Sequence, residues 1–198
     1  MLHIIGDKLP DLVRRRAEYE IRVRIIDSYR DNRYWWMMAD NNWSAVCVAA
    51  TFAVYAYLAT PEETEAQLDR MIATSECYLR GFEDDGCCKE GYAYWNYGFS
   101  NYCIFASMLR EYTDGRIDLF RNPKVRAIAH FQENAAINRT ESISFSDSGN
   151  EFLPTPGISH FLKHEYPDIA IPPIACQIDP SASLRTLFWM RPEYDADG

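Results

Sequence analysis

The chain has 198 residues, with 29 acidic against 20 basic residues and a net charge of −9. Its length suits one domain with a substantial core, and a composition of 47% hydrophobic and 25% charged residues is that of an ordinary globular protein. The acidic balance argues against nucleic acid as a partner, because nucleic-acid binders carry a basic face, but an acidic protein can still hold a locally basic cleft.

Helical patterns fill the first part of the chain. A helix is predicted from Pro10 to about Tyr29, followed by a polar, aromatic loop over residues 31–42. Trp43 to Leu58 is apolar almost all round, which predicts a buried helix with Asn42 as its N-cap. A Thr-Pro-Glu-Glu sequence then predicts the start of a helix that runs from Thr60 to about Leu79 or the glycine two residues later.

Helices also dominate the second half. An acidic turn at Asp84 to Gly86 leads into an aromatic helix that ends near Tyr112. Further helices are predicted from Asn122-Pro123 to about Ile137 and from Gly157 to His164. A weak alternation from Thr140 to Phe145 predicts a short strand, and the proline-rich tail is predicted to be irregular with a short helix near Ser181 to Phe188.

The predicted helices follow one another through short connections, so neighbouring helices are expected to be antiparallel. The sequence therefore predicts an all-α fold of consecutive antiparallel helical hairpins, as a single α-helical domain over residues 1–198. Buried helices that alternate with amphipathic ones favour a two-layered array of helical hairpins such as an α/α toroid, with a simple bundle as the alternative.

Neither a membrane nor a metal is predicted as a partner. No apolar run approaches the roughly 20 residues that span a bilayer, and the N-terminal residues lack the features of a signal peptide. The six cysteines contain no Cys-x-x-Cys pair, which argues against a zinc site and a disulfide scaffold and favours a reducing compartment. His160 and His164 share a helix face without a third ligand nearby, so we interpret them as a solvated pair and predict no cofactor.

The stretch from Glu83 to Cys103 is the most unusual part of the chain. Six aromatic residues fall within eleven positions: Tyr92, Tyr94, Trp95, Tyr97, Phe99 and Tyr102. Such side chains either stack on sugar rings or pack in a core with their polar atom satisfied, and composition alone favours the core. A second aromatic stretch, from Tyr34 to Cys47, shifts the interpretation towards a sugar-binding surface.

Several sequence blocks carry a resemblance to a known family. They are Tyr34-Trp35-Trp36, Asn41-Asn42-Trp43-Ser44-Ala45-Val46-Cys47, Asp85-Gly86-x-x-x-Glu90-Gly91-x-x-Tyr94-Trp95-x-Tyr97-Gly98 and Phe145-Ser146-Asp147-Ser148. On these blocks the chain resembles the heparinase II/III-like family of polysaccharide lyases over about residues 20–170. The resemblance implies an incomplete α/α toroid followed by a β-sandwich domain, and β-elimination of uronic-acid-containing, glycosaminoglycan- or alginate-like polysaccharides. It also implies that this chain is a toroid portion without the β-sandwich and its catalytic His, inactive or weakly active by itself.

The chemistry of elimination connects the residues of these blocks to roles. The enzyme removes the C5 proton beside a carboxylate whose charge it must neutralise, and the resemblance implies that the amide of Asn42 does so, with Asn41 as the alternative. A side chain committed to capping a helix cannot face the substrate, so cap and site are competing predictions for Asn42. The resemblance implies Tyr94 as acid and base, preferred over Tyr97 on the same helix face.

The resemblance also implies a set of substrate-binding residues. They are Trp36, Trp43, Trp95, Tyr97 and Glu90. The tryptophans would stack on sugar rings, although core packing is an equal alternative for Trp43. Glu90 would orient the site, or serve structurally in the first turn of its helix, which is the interpretation we favour.

Two other functions stay open. A non-catalytic carbohydrate-binding domain would use the same aromatic side chains without chemistry. An α/α-toroid glycoside hydrolase would need two convergent carboxylates, and the acids clustered near the aromatic residues are Asp84, Asp85 and Glu90. Because a truncated toroid would expose apolar helix faces, self-association is also predicted.

Overall fold

The computed structural model describes residues 6–138, 141–150, 155–171, 188–191 and 194, and within these ranges the protein is all-α. The helices are α1 (Asp11–Ile21), which continues through a π-helical segment (Arg22–Asp27) into α2 (Ser28–Asp31), then α3 (Asn42–Leu58), α4 (Pro61–Leu79), α5 (Tyr92–Tyr112), α6 (Pro123–Asn134) and α7 (Pro156–Glu165). Short 3₁₀ helices cover Gly6–Lys8, Trp35–Met38 and Leu119–Arg121.

The all-α prediction is confirmed, and most helix boundaries match those expected from the sequence. The short strand predicted at Thr140 to Phe145 is wrong for its described residues, which form isolated bridges, such as that of Ser142 to Ala136. The helix predicted near Ser181 to Phe188 falls almost wholly outside the described residues. The toroidal arrangement of the hairpins and the extent of one domain stay predictions.

Local capping chemistry explains where α4 begins. The Thr60 hydroxyl accepts a hydrogen bond from the Glu63 backbone N–H at 3.2 Å, and the Glu63 carboxylate accepts one from the Thr60 N–H at 2.8 Å. The same carboxylate receives two hydrogen bonds from Arg22, at 2.9 and 3.0 Å, which with the Thr60 N–H lower the pKa of Glu63 to about 2. The Glu63 side chain of the predicted cap therefore also links α4 to the π-helical segment through Arg22.

Helix α5 is the central element of the core. Trp95, Phe99 and Tyr102 pack in a cluster that extends to α6 and α7. Phe105 and Leu109 pack in a second cluster with side chains of α3 and α4. Because one helix serves two clusters, its sequence is apolar on more than one face and does not show which aromatic residues are exposed.

Helix α1 and the π-helical segment that follows it present an apolar stripe to solvent. Leu12, Val13, Tyr19 and Val23 are all exposed. The stripe offers a surface for the predicted self-association, which stays a prediction. Among the described residues, no helix is both long enough and apolar enough to cross a bilayer.

Candidate functional site

A groove of about 580 Å³ opens where α3 and α5 begin. Most of its lining residues are polar or aromatic and lie at or near the beginnings of these two helices: Asn41, Asn42, Trp43, Glu90, Tyr94 and Tyr97. Val46 and Ala93 complete its wall. The two residues predicted for chemistry, Asn42 and Tyr94, therefore line the same groove although 51 residues separate them in sequence.

The residue before Asn42 decides whether Asn42 caps α3 or lines the groove. Asn41, not Asn42, is the N-cap of α3, and its side-chain oxygen accepts a hydrogen bond from the Trp43 backbone N–H at 3.2 Å. The prediction that Asn42 caps the helix is therefore wrong by one residue. Asn41 is the residue committed to the cap, and the side chain of Asn42 is left to line the groove.

The two tyrosines of the groove lie on adjacent turns of α5. Tyr94 is half-buried, whereas Tyr97 is 46% exposed. Residues three apart share a helix face, which is why both reach the same groove. The groove thus contains an amide and two phenols, the donor and proton-transfer groups that the sequence predicts for a site acting on a sugar acid.

Of the three tryptophans predicted to stack on sugar rings, one lines the groove and two do not. Trp43 is 53% exposed and lines the groove, as a sugar-stacking residue requires. Trp95 has no exposed surface, and its indole N–H donates to the Ile128 carbonyl at 2.8 Å, so it is a core residue and cannot contact a substrate. Trp36 does not line the groove, because its ring stacks between Tyr29 and Tyr34 at centroid distances of 6.1 and 5.9 Å.

Trp35, the neighbour of Trp36, is exposed beside the groove although the sequence did not predict it as a site residue. Trp35 is 63% exposed, and its ring centroid lies 5.5 Å from that of Trp43. The two rings form an exposed aromatic platform, defined here as Trp35 and Trp43, at the edge of the groove. The sequence does not show which of two adjacent tryptophans is exposed, because their orientation depends on the 3₁₀ helix at Trp35–Met38.

The backbone at Glu90 is hydrogen-bonded to a segment that is distant in sequence. The N-cap of α5 is Gly91, whose φ of +88° suits glycine and which has no side chain to cap the helix. The Ser148 hydroxyl takes over this role: it accepts from the Ala93 backbone N–H at 2.9 Å and donates to the Glu90 carbonyl at 3.3 Å. A cap supplied by a serine 55 residues away leaves no local sequence signal, although Ser148 belongs to the last of the resemblance blocks.

The carboxyl group of Glu90 holds its proton more tightly than an ordinary glutamate. Burial raises the pKa of Glu90, and the negative charges of Asp147 and Asp40 raise it further, against the opposing effect of the Asn42 backbone N–H. Among the described residues that line the groove, Glu90 is the single carboxyl, and none is basic. The groove therefore lacks the pair of carboxylates that a glycoside hydrolase needs.

The raised pKa gives a testable stability effect. The folded protein binds the Glu90 proton more tightly than the unfolded chain does. Ionised Glu90 therefore destabilises the folded state, and this effect grows as the pH rises from below the pKa of glutamate in the unfolded chain, about 4.3, to above the pKa of Glu90 in the folded protein. Glu90→Gln is expected to increase the free energy of unfolding at pH 7 and to have little effect near pH 3. Urea denaturation across this range measures it, with Glu65→Gln on the exposed surface of α4 as control. A difference between Glu90→Gln and wild type that does not grow with pH contradicts the burial argument.

The acids of the turn before α5 are structural, as the sequence indicated. The Asp85 carboxylate accepts from the Cys87 backbone N–H at 2.9 Å, and Asp84 lies 3.4 Å from the ammonium of Lys124. His160 is buried, with its Nδ1 accepting from the Arg191 backbone N–H at 2.9 Å, so its interpretation as half of a solvated pair is wrong. Within the described ranges, no three histidine, cysteine or acidic side chains converge as a metal site would require.

Comparison with models of known protein families gives no match to this chain, and comparison with curated proteins gives no significant match. The assignment of a function therefore depends on the chemistry of the groove and on the sequence blocks that meet there.

Proposed function

We propose that the groove binds a uronic-acid-containing polysaccharide and that its residues serve β-elimination, as in the heparinase II/III-like lyases that the sequence resembles. The observation that carries the proposal is the meeting of Asn42 and Tyr94 in one groove, beside the exposed ring of Trp43. An opposite orientation of these two side chains would have excluded the chemistry. The toroidal arrangement of the helices is part of the same proposal.

The proposed reaction divides between the amide and the phenol. The Asn42 NH₂ donates to the uronate carboxylate, which stabilises the negative charge that develops when C5 loses its proton. Tyr94, as its phenolate, accepts the C5 proton. The electron pair of the C5–H bond forms a double bond between C4 and C5, the bond from C4 to O4 breaks, and the departing O4 receives the proton back from Tyr94.

The charge of the groove restricts how an acidic sugar is recognised. No basic side chain is among the described residues that line it, so charge attraction does not supply the affinity there. Recognition instead comes from amide hydrogen bonds and from stacking on the aromatic platform of Trp35 and Trp43. We therefore expect the contacts of the groove itself to add little salt dependence to binding.

A non-catalytic carbohydrate-binding domain is the second candidate function. The same aromatic platform favours it, because stacking on exposed tryptophans needs no catalytic group. The two functions share a ligand and differ in one measurement, the formation of an unsaturated uronate.

The proposal is tested by titrating the protein with glycosaminoglycan- and alginate-like oligosaccharides and with neutral oligosaccharides, while elimination is followed by the absorbance of the unsaturated product. Trp43→Ala is expected to weaken binding of the acidic oligosaccharides about tenfold, as loss of about 1.4 kcal/mol of stacking and contact would do. Tyr19→Ala removes an aromatic ring that is equally exposed but lies on α1, outside the groove, and is expected to leave binding unchanged.

Each outcome of this experiment is informative. Binding with formation of the unsaturated uronate supports the lyase, and binding without it shows that this chain by itself serves as a carbohydrate-binding domain. Failure of every acidic oligosaccharide to bind, or equal binding by wild type and Trp43→Ala, overturns the proposal for this groove.

A further inference from the structure

A smaller cavity of about 170 Å³ adjoins the groove, and we call it the rear pocket. It shares Asn41, Glu90 and Tyr94 with the groove and adds the side chains of Tyr78 and Lys89. The family resemblance assigns no role to either of these two residues. The rear pocket thus extends the candidate site towards α4, the helix that carries Tyr78.

The hydroxyl group of Tyr78 is the unusual feature of the rear pocket. Tyr78 is 2% exposed, and its ring packs against Phe82 and Tyr102 at centroid distances of 5.0 and 6.0 Å. Its hydroxyl has no hydrogen-bond partner among the described residues. A buried polar group without a partner is unfavourable for folding, so the Tyr78 hydroxyl is a candidate to bond a ligand in the rear pocket.

The protonation of this hydroxyl defines what it can bind. Burial, together with the nearby side chains of Cys88 and Glu90, raises the pKa of Tyr78 well above its ordinary value. The group therefore keeps its proton at neutral pH and offers a hydrogen-bond donor. Lys89 adds a positive charge to the same pocket, and its ammonium group lies 3.6 Å from the carboxylate of Glu83.

Gly98 brings this donor next to Asn42. Glycine inside a helix is unfavourable relative to alanine, so its presence in the middle of α5 calls for a reason. A Cβ atom at Gly98 would lie 2.6 Å from the Tyr78 hydroxyl oxygen and 3.2 Å from the Asn42 Cβ. The missing side chain is what allows the Tyr78 hydroxyl and Asn42 to approach the same point on α5.

We propose that the rear pocket receives the carboxylate of the uronate, with the Tyr78 hydroxyl donating to it beside the amide of Asn42 and with Lys89 as the neighbouring cation. This inference rests on the proposed function of the groove. Asp40 and Glu90 also line the rear pocket, and their charges oppose a carboxylate. The Lys89 ammonium offsets this opposition, and so does the proton of Glu90 in the pH range where it is bound.

Tyr78 thereby becomes a residue that selects for acidic sugars. The test compares binding of a uronate oligosaccharide with binding of the same oligosaccharide after reduction of its carboxyl groups to alcohols. Tyr78→Phe is expected to weaken binding of the acidic form about tenfold and to leave the reduced form unaffected, because one hydrogen bond to a charged group is lost. Its melting temperature is expected to equal or exceed that of wild type, since no internal hydrogen bond is removed.

A matched control separates this role from a structural one. Tyr55 is equally buried, but its hydroxyl donates to the Ile26 carbonyl at 2.8 Å. Tyr55→Phe is expected to lower the melting temperature by about 2–4 °C and to leave both affinities unchanged. Lys89→Gln, on the surface, is expected to reduce the preference for the acidic form and to make it less dependent on salt.

The outcomes distinguish failure of this inference from failure of the proposed function. If wild type binds no acidic oligosaccharide, the proposed function fails. If wild type binds but Tyr78→Phe keeps its full preference for the acidic form, the rear-pocket inference is overturned. A melting temperature of Tyr78→Phe as low as that of Tyr55→Phe likewise overturns it, because the hydroxyl would then be structural.

Discussion

Tyr94→Phe is expected to lower the rate of uronate elimination by about 10²- to 10⁴-fold, the usual contribution of a positioned general acid–base group. The substitution removes the phenolic oxygen and keeps the ring, so the affinity for the oligosaccharide is expected to change little. The rate is measured as the absorbance of the unsaturated uronate under saturating substrate. A large fall in rate with an unchanged affinity assigns Tyr94 to the chemical step.

Tyr97→Phe is the natural control for this prediction. Tyr97 lines the same groove one turn further along α5 but is more exposed, and its substitution is expected to lower the rate less than about tenfold. A larger loss in Tyr97→Phe than in Tyr94→Phe would transfer the acid–base role to Tyr97. Unchanged rates in both variants would mean that tyrosine is not the proton-transfer group.

Trp95→Ala is expected to reduce the free energy of unfolding by about 3–5 kcal/mol, the range for truncating a fully buried aromatic residue. The ring contacts Tyr92, Phe99 and Phe131 at centroid distances of 5.4, 5.7 and 6.3 Å, so the truncation removes packing from three directions. It also leaves the buried Ile128 carbonyl without its indole donor. Urea denaturation monitored by circular dichroism measures the loss.

Two further variants make the prediction specific. Trp95→Phe keeps most of the packing but not the hydrogen bond to Ile128, so it is expected to lose about 1–3 kcal/mol. Trp43→Ala, at an exposed position, is expected to change stability by less than about 1 kcal/mol while weakening sugar binding. If Trp95→Ala were as stable as Trp43→Ala, the assignment of Trp95 to the core would be wrong.

The helix boundaries were predictable because they depend on local chemistry. Thr60 and Glu63 form a capping box, and Asn122 accepts a hydrogen bond from the Lys124 backbone N–H, each through contacts within three residues. The start of α3 was missed by one residue because Asn41 and Asn42 are equally good caps by sequence. The backbone conformation of Asn41, which is extended, decides between them.

The π-helical segment and the isolated bridge at Ser142 were not predictable in the same way. A π-helix differs from an α-helix in its hydrogen-bond register and not in its pattern of apolar residues, so residues 22–27 read as plain helix. Weak alternation from Glu141 onwards resembles a strand, but a strand needs a continuous partner, and the described segment forms isolated bridges, such as that of Ser142 to Ala136.

By itself, the sequence determined that the protein is helical, where its main helices begin and end, and which two stretches contain the candidate site. These properties follow from helix periodicity, from caps and from local composition. Only the tertiary structure decided that Trp95 is core while Trp43 is exposed, that Trp35 and not Trp36 joins the platform, and that Ser148 caps α5. The physical reason is the same in each case: burial depends on which helix covers a side chain, and α5 is covered on several faces by partners distant in sequence.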